Sequence, residues 1–242
     1  MKAKSIKAKS PEELKTVIEE SMSDGFTPTL AIVFISVKQD RRAVIDLLVK
    51  SNIDVIGATS SGEFIDRHQS DGEIVALLLD IEKDKYCILF EDIGDRTLEK
   101  AAKQLIEGTY QQFDKPALIL LSTMLTSGGS ILDGEELVYD IEKFAGPDIT
   151  MFGGMAGDDV TFQGTWVFNN DQTTDYGMAA LVLDESKVEL QGLAYSGWKP
   201  MGVSRTITKS EGNLLYSIDD RPALEMYLHY LGHEVNSKDD QI

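Results

Sequence analysis

The chain has 242 residues, of which 42% are hydrophobic, a composition that suits one large buried core or two closely joined lobes. Its 41 acidic and 23 basic residues give a net charge of -18, which opposes binding to nucleic acid or to an anionic membrane surface. No apolar run is long enough to span a membrane, the Lys-rich first nine residues lack the apolar core of a secretory signal, and the single cysteine lies in an apolar run. These features predict a cytoplasmic protein with neither a nucleic-acid nor a membrane partner.

In the first half of the chain, a capping pattern and several apolar runs predict helices and buried strands. Ser10, Pro11 and Glu13 form the start signal of a helix, so residues 1–28 are predicted as an N-terminal helical segment of the same domain. Gly108 is the predicted stop of a later helix. The other predicted elements are the strand TLAIVFIS (29–36), a helix over 40–50, the strand and turn IDVIGATSSGE (53–63), and the hairpin EIVALLLD with KYCILFED (73–80 and 85–92).

The second half repeats this order of elements. A buried strand is followed by a helix that Asp133 starts and Gly146 ends, then by a second strand with a Gly turn, and then by a strand closing on LVLD, which matches LLLD in the first half. This similarity predicts an internal duplication of residues 29–93 and 116–197. The predicted fold is α/β with mixed α+β character, in which duplicated strand-helix-strand-hairpin lobes form mixed β-sheets flanked by helices. A last helix and a flexible tail over residues 233–242 complete the chain.

Several motifs occur in a fixed order along the chain and carry a resemblance to a known family. They are VIGATSSGE, FGGMAGDDVTF, TWVF, YGMAALVLD, SGWKPMG, ITKSEGNLLYSID and RPALEMYLHYLG. Together they resemble the N-terminal half of the FIST domain, an intracellular sensory domain, and this resemblance identifies residues 29–232 as a FIST_N-like sensory domain. It implies a small-molecule ligand such as an amino acid, and an output partner such as a histidine kinase, a diguanylate cyclase or a chemotaxis transducer.

The resemblance also leaves two questions open. Some FIST proteins bind haem and respond to nitric oxide, so a haem-dependent nitric oxide sensor is the alternative to a module without a cofactor. The family's C-terminal half would follow YLHYLG, close to the end of this chain. An apolar face that such a half covers would favour self-association, so we expect a homo-oligomer.

The segment FGGMAGDDVTF, residues 152–162, combines a bare backbone with two carboxylates. Gly153 and Gly154 can expose amides to a ligand carboxylate, and Asp158 or Asp159 can pair with an ammonium group, which predicts a site for an amino-acid-like zwitterion. Alternatively, the glycines permit close strand packing and the aspartates form caps or turns. Neighbouring aspartates point to opposite sides of an extended chain, so we predict no metal site there.

Other polar segments follow equivalent strands, where open α/β sheets often place a ligand crevice. Both Gly turns are therefore expected to face one cavity. The further candidate ligand-binding residues are Thr59, Ser60, Ser61 and Glu63 in TSSGE, Ser122 and Thr123 in STMLTSGGS, and Trp198 as a wall. The alternatives are a plain connection for STMLTSGGS and a core position for the tryptophan. TSSGE lacks the GxSxG nucleophile elbow, so no catalysis is expected, and a hydrolase-like enzyme or a protein-interaction scaffold remains an alternative.

Overall fold

The computed structural model describes residues 1–66, 68–193, 197, 199–200, 202–212 and 214–232. Trp198 and the predicted tail over 233–242 lie outside these residues. The chain falls into two compact units that divide between Gly192 and Leu193. None of the described helices is long and apolar enough to cross a membrane.

The first unit contains both strands and α-helices. They are β1 (Lys2–Ala8), α1 (Pro11–Ser21), β2 (Leu30–Ser36), α2 (Arg41–Lys50), β3 (Asp54–Ser60), β4 (Glu63–Ile65), β5 (His68–Ser70), β6 (Ile74–Asp80), β7 (Tyr86–Asp92), α3 (Leu98–Gln112), β8 (Pro116–Ser122), α4 (Gly134–Ala145), β9 (Thr150–Met155), β10 (Val167–Asn169), β11 (Thr173–Thr174) and β12 (Gly177–Asp184). The second unit contains β13 (Ile207–Glu211), β14 (Leu214–Ile218), β15 (Arg221–Pro222) and α5 (Ala223–Tyr230). The predicted mixed α/β class is confirmed, but the N-terminal segment begins with a strand before its helix.

The two large sheets of the first unit share one strand pattern. The first sheet has the order β1-β6-β2-β3-β10-β11, and the second has the order β7-β12-β8-β9. β2 pairs with β3 in parallel, as β8 does with β9, and the other neighbours are antiparallel. The matching units therefore span residues 2–80 and 86–184, which start earlier than the predicted repeats. This is the connectivity that a duplication would leave; the duplication itself stays a prediction.

The predicted hairpin of the first half does not form. β6 lies between β1 and β2 in the first sheet, whereas β7 pairs with β12 in the second. The short connection between them crosses from one sheet to the other instead of folding back. Both strands are apolar along their length, and this pattern suits pairing with any buried neighbour, so adjacency in sequence alone suggested the hairpin.

The first unit is built in four layers around three apolar clusters. α1 and α2 cover the outer face of the first sheet, and α3 and α4 cover the outer face of the second. A third cluster lies between the sheets and combines Leu30, Ile56 and Leu79 of the first sheet with Leu121 and Leu181 of the second. The parallel pairs β2–β3 and β8–β9 therefore lie in two sheets that face each other. The carboxyl ends of their strands carry the candidate residues.

Candidate functional site

The turns that follow β3 and β9 lie directly against each other. The amide of Gly157 donates to the Thr59 carbonyl oxygen at 2.9 Å, and the amides of Asp158 and Asp159 donate to Ser61 Oγ at 3.1 and 3.0 Å. A Cβ atom on Gly157 would lie 2.5 Å from that Oγ. Gly157 is thus required for the close approach of the two turns, and the amides of all three residues are satisfied within the protein.

Gly153 and Gly154 lie in β9 itself and not in the turn. A Cβ atom on Gly153 would lie 1.8 Å from the carbonyl oxygen of Leu120 in β8, whereas a Cβ atom on Gly154 would meet nothing within 4 Å. Close strand packing therefore accounts for Gly153, as in the alternative to the zwitterion hypothesis. Gly154 has no such requirement, so the two neighbouring glycines have different roles.

Asp158 is buried and organises the loop that follows it. Its carboxylate accepts hydrogen bonds from Gln163 N at 2.8 Å, Thr161 Oγ1 at 3.0 Å and Gly164 N at 3.4 Å. Burial acts to raise the pKa of this carboxyl, but these hydrogen bonds outweigh it and lower the pKa below its ordinary value. The aspartate therefore remains charged at neutral pH and serves the loop.

Asp159 points in a different direction and joins three elements. Its Oδ2 accepts a hydrogen bond of 2.5 Å from Ser36 Oγ at the end of β2, and the same oxygen lies 3.6 Å from Lys38 Nζ. Asp159 and the next residue, Val160, have φ values of +53° and +59°, and Phe162 has +55°. Left-handed conformations at non-glycine residues are uncommon and strained, above all for β-branched valine, so the contacts of both aspartates hold this loop in place.

The threonines of both motifs are structural. Thr59 Oγ1 accepts from Trp166 N at 3.0 Å, and Thr123 Oγ1 accepts from Gly177 N at 3.0 Å. Both threonines are fully buried. Their hydroxyls bind the ends of neighbouring strands together, and this use is sufficient to explain why they are polar.

A cavity of about 550 Å³ lies beside the apolar layer between the sheets. Its walls are Ser5 of β1, Ile32 and Phe34 of β2, Val75, Ala76 and Leu77 of β6, Ile119 of β8, and Ser60, Gly62, Glu63, Phe64, Ile65 and Asp66 around β4. We call it the Glu63 cavity. Most of its wall is apolar, and Phe34 and Leu77 remain 38% and 36% exposed although they belong to central strands of the first sheet.

Glu63 supplies a buried carboxylate to this cavity. Its Oε1 accepts from Ser60 Oγ at 2.7 Å, and its Oε2 accepts from the amide of Glu73 at 3.0 Å. A carboxylate has about four acceptor positions, and these two hydrogen bonds occupy two of them. The arrangement can therefore bind a molecule with an apolar body and a cationic or hydrogen-bond-donating end.

Ser122, Gly153 and Gly154 line a different place. They belong to a groove of about 320 Å³ between β9 and α4, whose other walls include Leu137 and Met151. This β9–α4 groove shares no residue with the Glu63 cavity. The two Gly turns thus touch each other, but of the predicted site residues only Ser60 and Glu63 line the Glu63 cavity, and Ser122, Gly153 and Gly154 line the groove.

Ser5, Phe34 and Leu77 line the cavity but belong to none of the predicted site motifs. Phe34 and Leu77 belong to runs that are uniformly apolar, so the pattern gives no sign that one end of the sheet face is left uncovered. Ser5 lies in β1, whose lysines hide the pattern of a strand. Because alternate residues of a strand share one face, the sequence does indicate that Phe34 lies on the same face as Ile32.

The residues do not fit a haem in the Glu63 cavity. Its described walls include no His, Cys, Met or Tyr to serve as an axial ligand. His68 Nε2 lies 3.4 Å from Glu73 Oε2, and Cys87 packs against the cluster under α3 and α4, where burial raises the pKa of its thiol to about 11. Within the described part of the chain, no group of three or more His, Cys, Asp or Glu residues is placed to hold a metal ion.

One known family model matches most of the chain. The sequence model of the FIST N domain matches residues 29–221, which include both parallel strand pairs, the β9–α4 groove and every wall of the Glu63 cavity except Ser5. A search among curated proteins finds no relative that matches this chain.

Proposed function

Because this chain belongs to the FIST N domain family, whose members are sensory domains of signal transduction, we propose that it senses a small molecule bound in the Glu63 cavity. The observation that carries the proposal is a buried carboxylate, held by Ser60 and Glu73, at the polar part of a largely apolar cavity. Small-molecule sites commonly combine apolar walls with a few fixed polar groups.

We propose an amino acid with an apolar side chain, or a related primary amine, as the ligand class. The ammonium group would donate to the remaining acceptor positions of Glu63, and Phe34 and Leu77 would cover the apolar part. Burial of the ligand's apolar surface against these side chains would contribute about 25 cal/mol per Å² to the free energy of binding. Occupancy would then be transmitted to an output partner, for which the family resemblance suggests a histidine kinase, a diguanylate cyclase or a chemotaxis transducer.

Calorimetry and thermal unfolding with a panel of amino acids and matched primary amines test this proposal. A ligand at about 100 times its Kd stabilises the folded state by about 2.7 kcal/mol, which corresponds to an increase in Tm of roughly 5–10 °C for a chain of this size. Glu63→Gln keeps the side-chain volume but removes the charge, so it should weaken amine binding while leaving the fold intact. Glu107→Gln, an exposed change on α3, is the matched control.

Two results would contradict the proposal. One is the absence of any Tm shift or binding heat across the whole panel. The other is unchanged affinity in Glu63→Gln together with unchanged affinity in Leu77→Trp, which fills the cavity wall. Binding that survives both variants would have to use another surface of the protein.

A further inference from the structure

In the described part of the second unit, helix α5 leaves an apolar stripe uncovered. Leu224, Tyr227 and Leu231 are 54%, 62% and 52% exposed, while only Ala223 and Met226 are buried among the described residues of this unit. The spacing i, i+3, i+7 places these three exposed side chains on one face of α5 and its C-terminal cap. We call this face the α5 stripe.

The charge of the second unit differs from that of the rest of the chain. Residues 193–242 contain five basic and seven acidic residues and have a net charge of -2, so -16 of the total charge of -18 lies in the first unit. Two copies of a strongly acidic chain repel each other over most of their surfaces. The second unit, which carries the α5 stripe and only -2 of the total charge, is where this repulsion is weakest.

We propose that two copies of this chain associate through the α5 stripe, each packing the stripe against that of the other about a two-fold axis. A second copy is the occupant that these observations favour, because a stripe without charges offers nothing to select a basic or acidic partner. The contact is self-complementary, as a two-fold interface requires. It goes beyond ligand binding at Glu63, which does not depend on it.

The size of the stripe sets the strength of the association. A stable interface buries about 800 Å² on each partner, and two turns of helix with three large side chains supply less than that. The dimer should therefore be weak and depend on concentration. Added salt should strengthen it, because salt screens the repulsion between the acidic parts of the two copies while leaving the apolar contact in place.

Sedimentation and light scattering of the full chain over a wide concentration range test the proposal. We expect a monomer–dimer equilibrium that tightens several-fold between about 50 mM and about 500 mM NaCl. Tyr227→Glu should weaken dimerisation by about tenfold or more, since it places two like charges near the two-fold axis. Tyr139→Glu is the matched control, because Tyr139 is also an exposed tyrosine on a helix, at 66% exposure against 62%.

A mixing experiment identifies the contact itself. Tyr227→Lys alone should also be monomeric, and an equimolar mixture of Tyr227→Lys with Tyr227→Glu should recover dimers by pairing opposite charges. Circular dichroism checks that each variant is folded. The proposal is overturned if the wild-type chain is monomeric at every concentration and salt level, if the dimer persists in Tyr227→Glu, or if Tyr139→Glu abolishes it equally.

Discussion

Replacement of Gly153 by alanine is expected to damage the fold, while the same change at Gly154 is expected to be tolerated. The new Cβ atom at position 153 would lie 1.8 Å from the Leu120 carbonyl oxygen and 2.8 Å from its carbon. Ordinary contact needs about 3.5 Å, so β8 and β9 would have to separate or tilt. At Gly154 the added atom meets nothing within 4 Å.

The size of the effect follows from what must give way. Overpacking costs about 1–3 kcal/mol, and loss of one or two hydrogen bonds between β8 and β9 adds about 1 kcal/mol each. A total of about 2–5 kcal/mol lowers Tm by roughly 5–20 °C in a chain of this size. Gly154→Ala should be neutral or slightly stabilising, because alanine restricts the unfolded chain. Thermal and urea unfolding of both variants measures the difference, and equal stabilities would refute the argument from close packing.

Three further changes test other contacts. Burial and a neighbouring carboxylate raise the pKa of Asp140, so its charge opposes folding at neutral pH. In urea unfolding at pH 7, Asp140→Asn should therefore be more stable than wild type. This gain in stability should disappear as the pH falls toward 3.8. Tyr86→Phe removes the 2.8 Å hydrogen bond to Asp54 and should cost about 1–3 kcal/mol. Burial acts to raise the pKa of Asp54, but its hydrogen bonds outweigh burial and lower the pKa below 3.8. The stability difference between wild type and Tyr86→Phe should therefore be present at pH 7 and shrink as the pH falls below 3.8. Gly157→Ala places a Cβ atom 2.5 Å from Ser61 Oγ, which should part the two turns and speed hydrogen exchange of their amides.

Local patterns predicted the elements that depend on local physics. Ser10 and Asp133 accept hydrogen bonds from the first-turn amides of α1 and α4, as their capping patterns predict. The continuous apolar runs of β2 and β8 are buried between layers. β1 was missed because its lysines obscure the alternation of Ile6 and Ala8, which are both buried; lysines are a common protection for an edge strand.

Tertiary contacts decided the features that the pattern could not. The sequence predicts the end of α3 at Gly108, but the helix continues to Gln112. Gly108 packs under Leu89 of β7, and a Cβ atom on it would lie 3.3 Å from Leu89 Cδ1. A glycine beside a close neighbour and a glycine at a helix stop look alike in sequence. Strand pairing between β6, β7 and their partners is likewise set by contacts distant in sequence.

The candidate site shows the same division. Hydroxyls and carboxylates after β3 and β9 were predicted from the motifs, but their roles depend on which atoms meet. Ser61 receives two amides from the opposite turn, Asp158 serves its own loop, and only Ser60 and Glu63 of this group line the Glu63 cavity. No spacing in the sequence distinguishes a carboxylate used by the protein from one left facing a cavity.

The strand registers indicate why two equivalent glycines have different surroundings. Leu79 pairs with Leu30 in the first sheet as Leu183 pairs with Ala117 in the second, and this correspondence places Gly57 and Gly153 at the same position of β3 and β9. Gly57 is buried because β10 pairs with β3 and brings the Phe168 ring to 2.4 Å from where a Cβ atom would be. No described strand pairs with the outer edge of β9, so Gly153 faces the β9–α4 groove instead. β10 comes from the second half of the chain, but it covers Gly57 in the first half. This segment of three residues therefore makes Gly57 part of the core, while the equivalent Gly153 lines a groove.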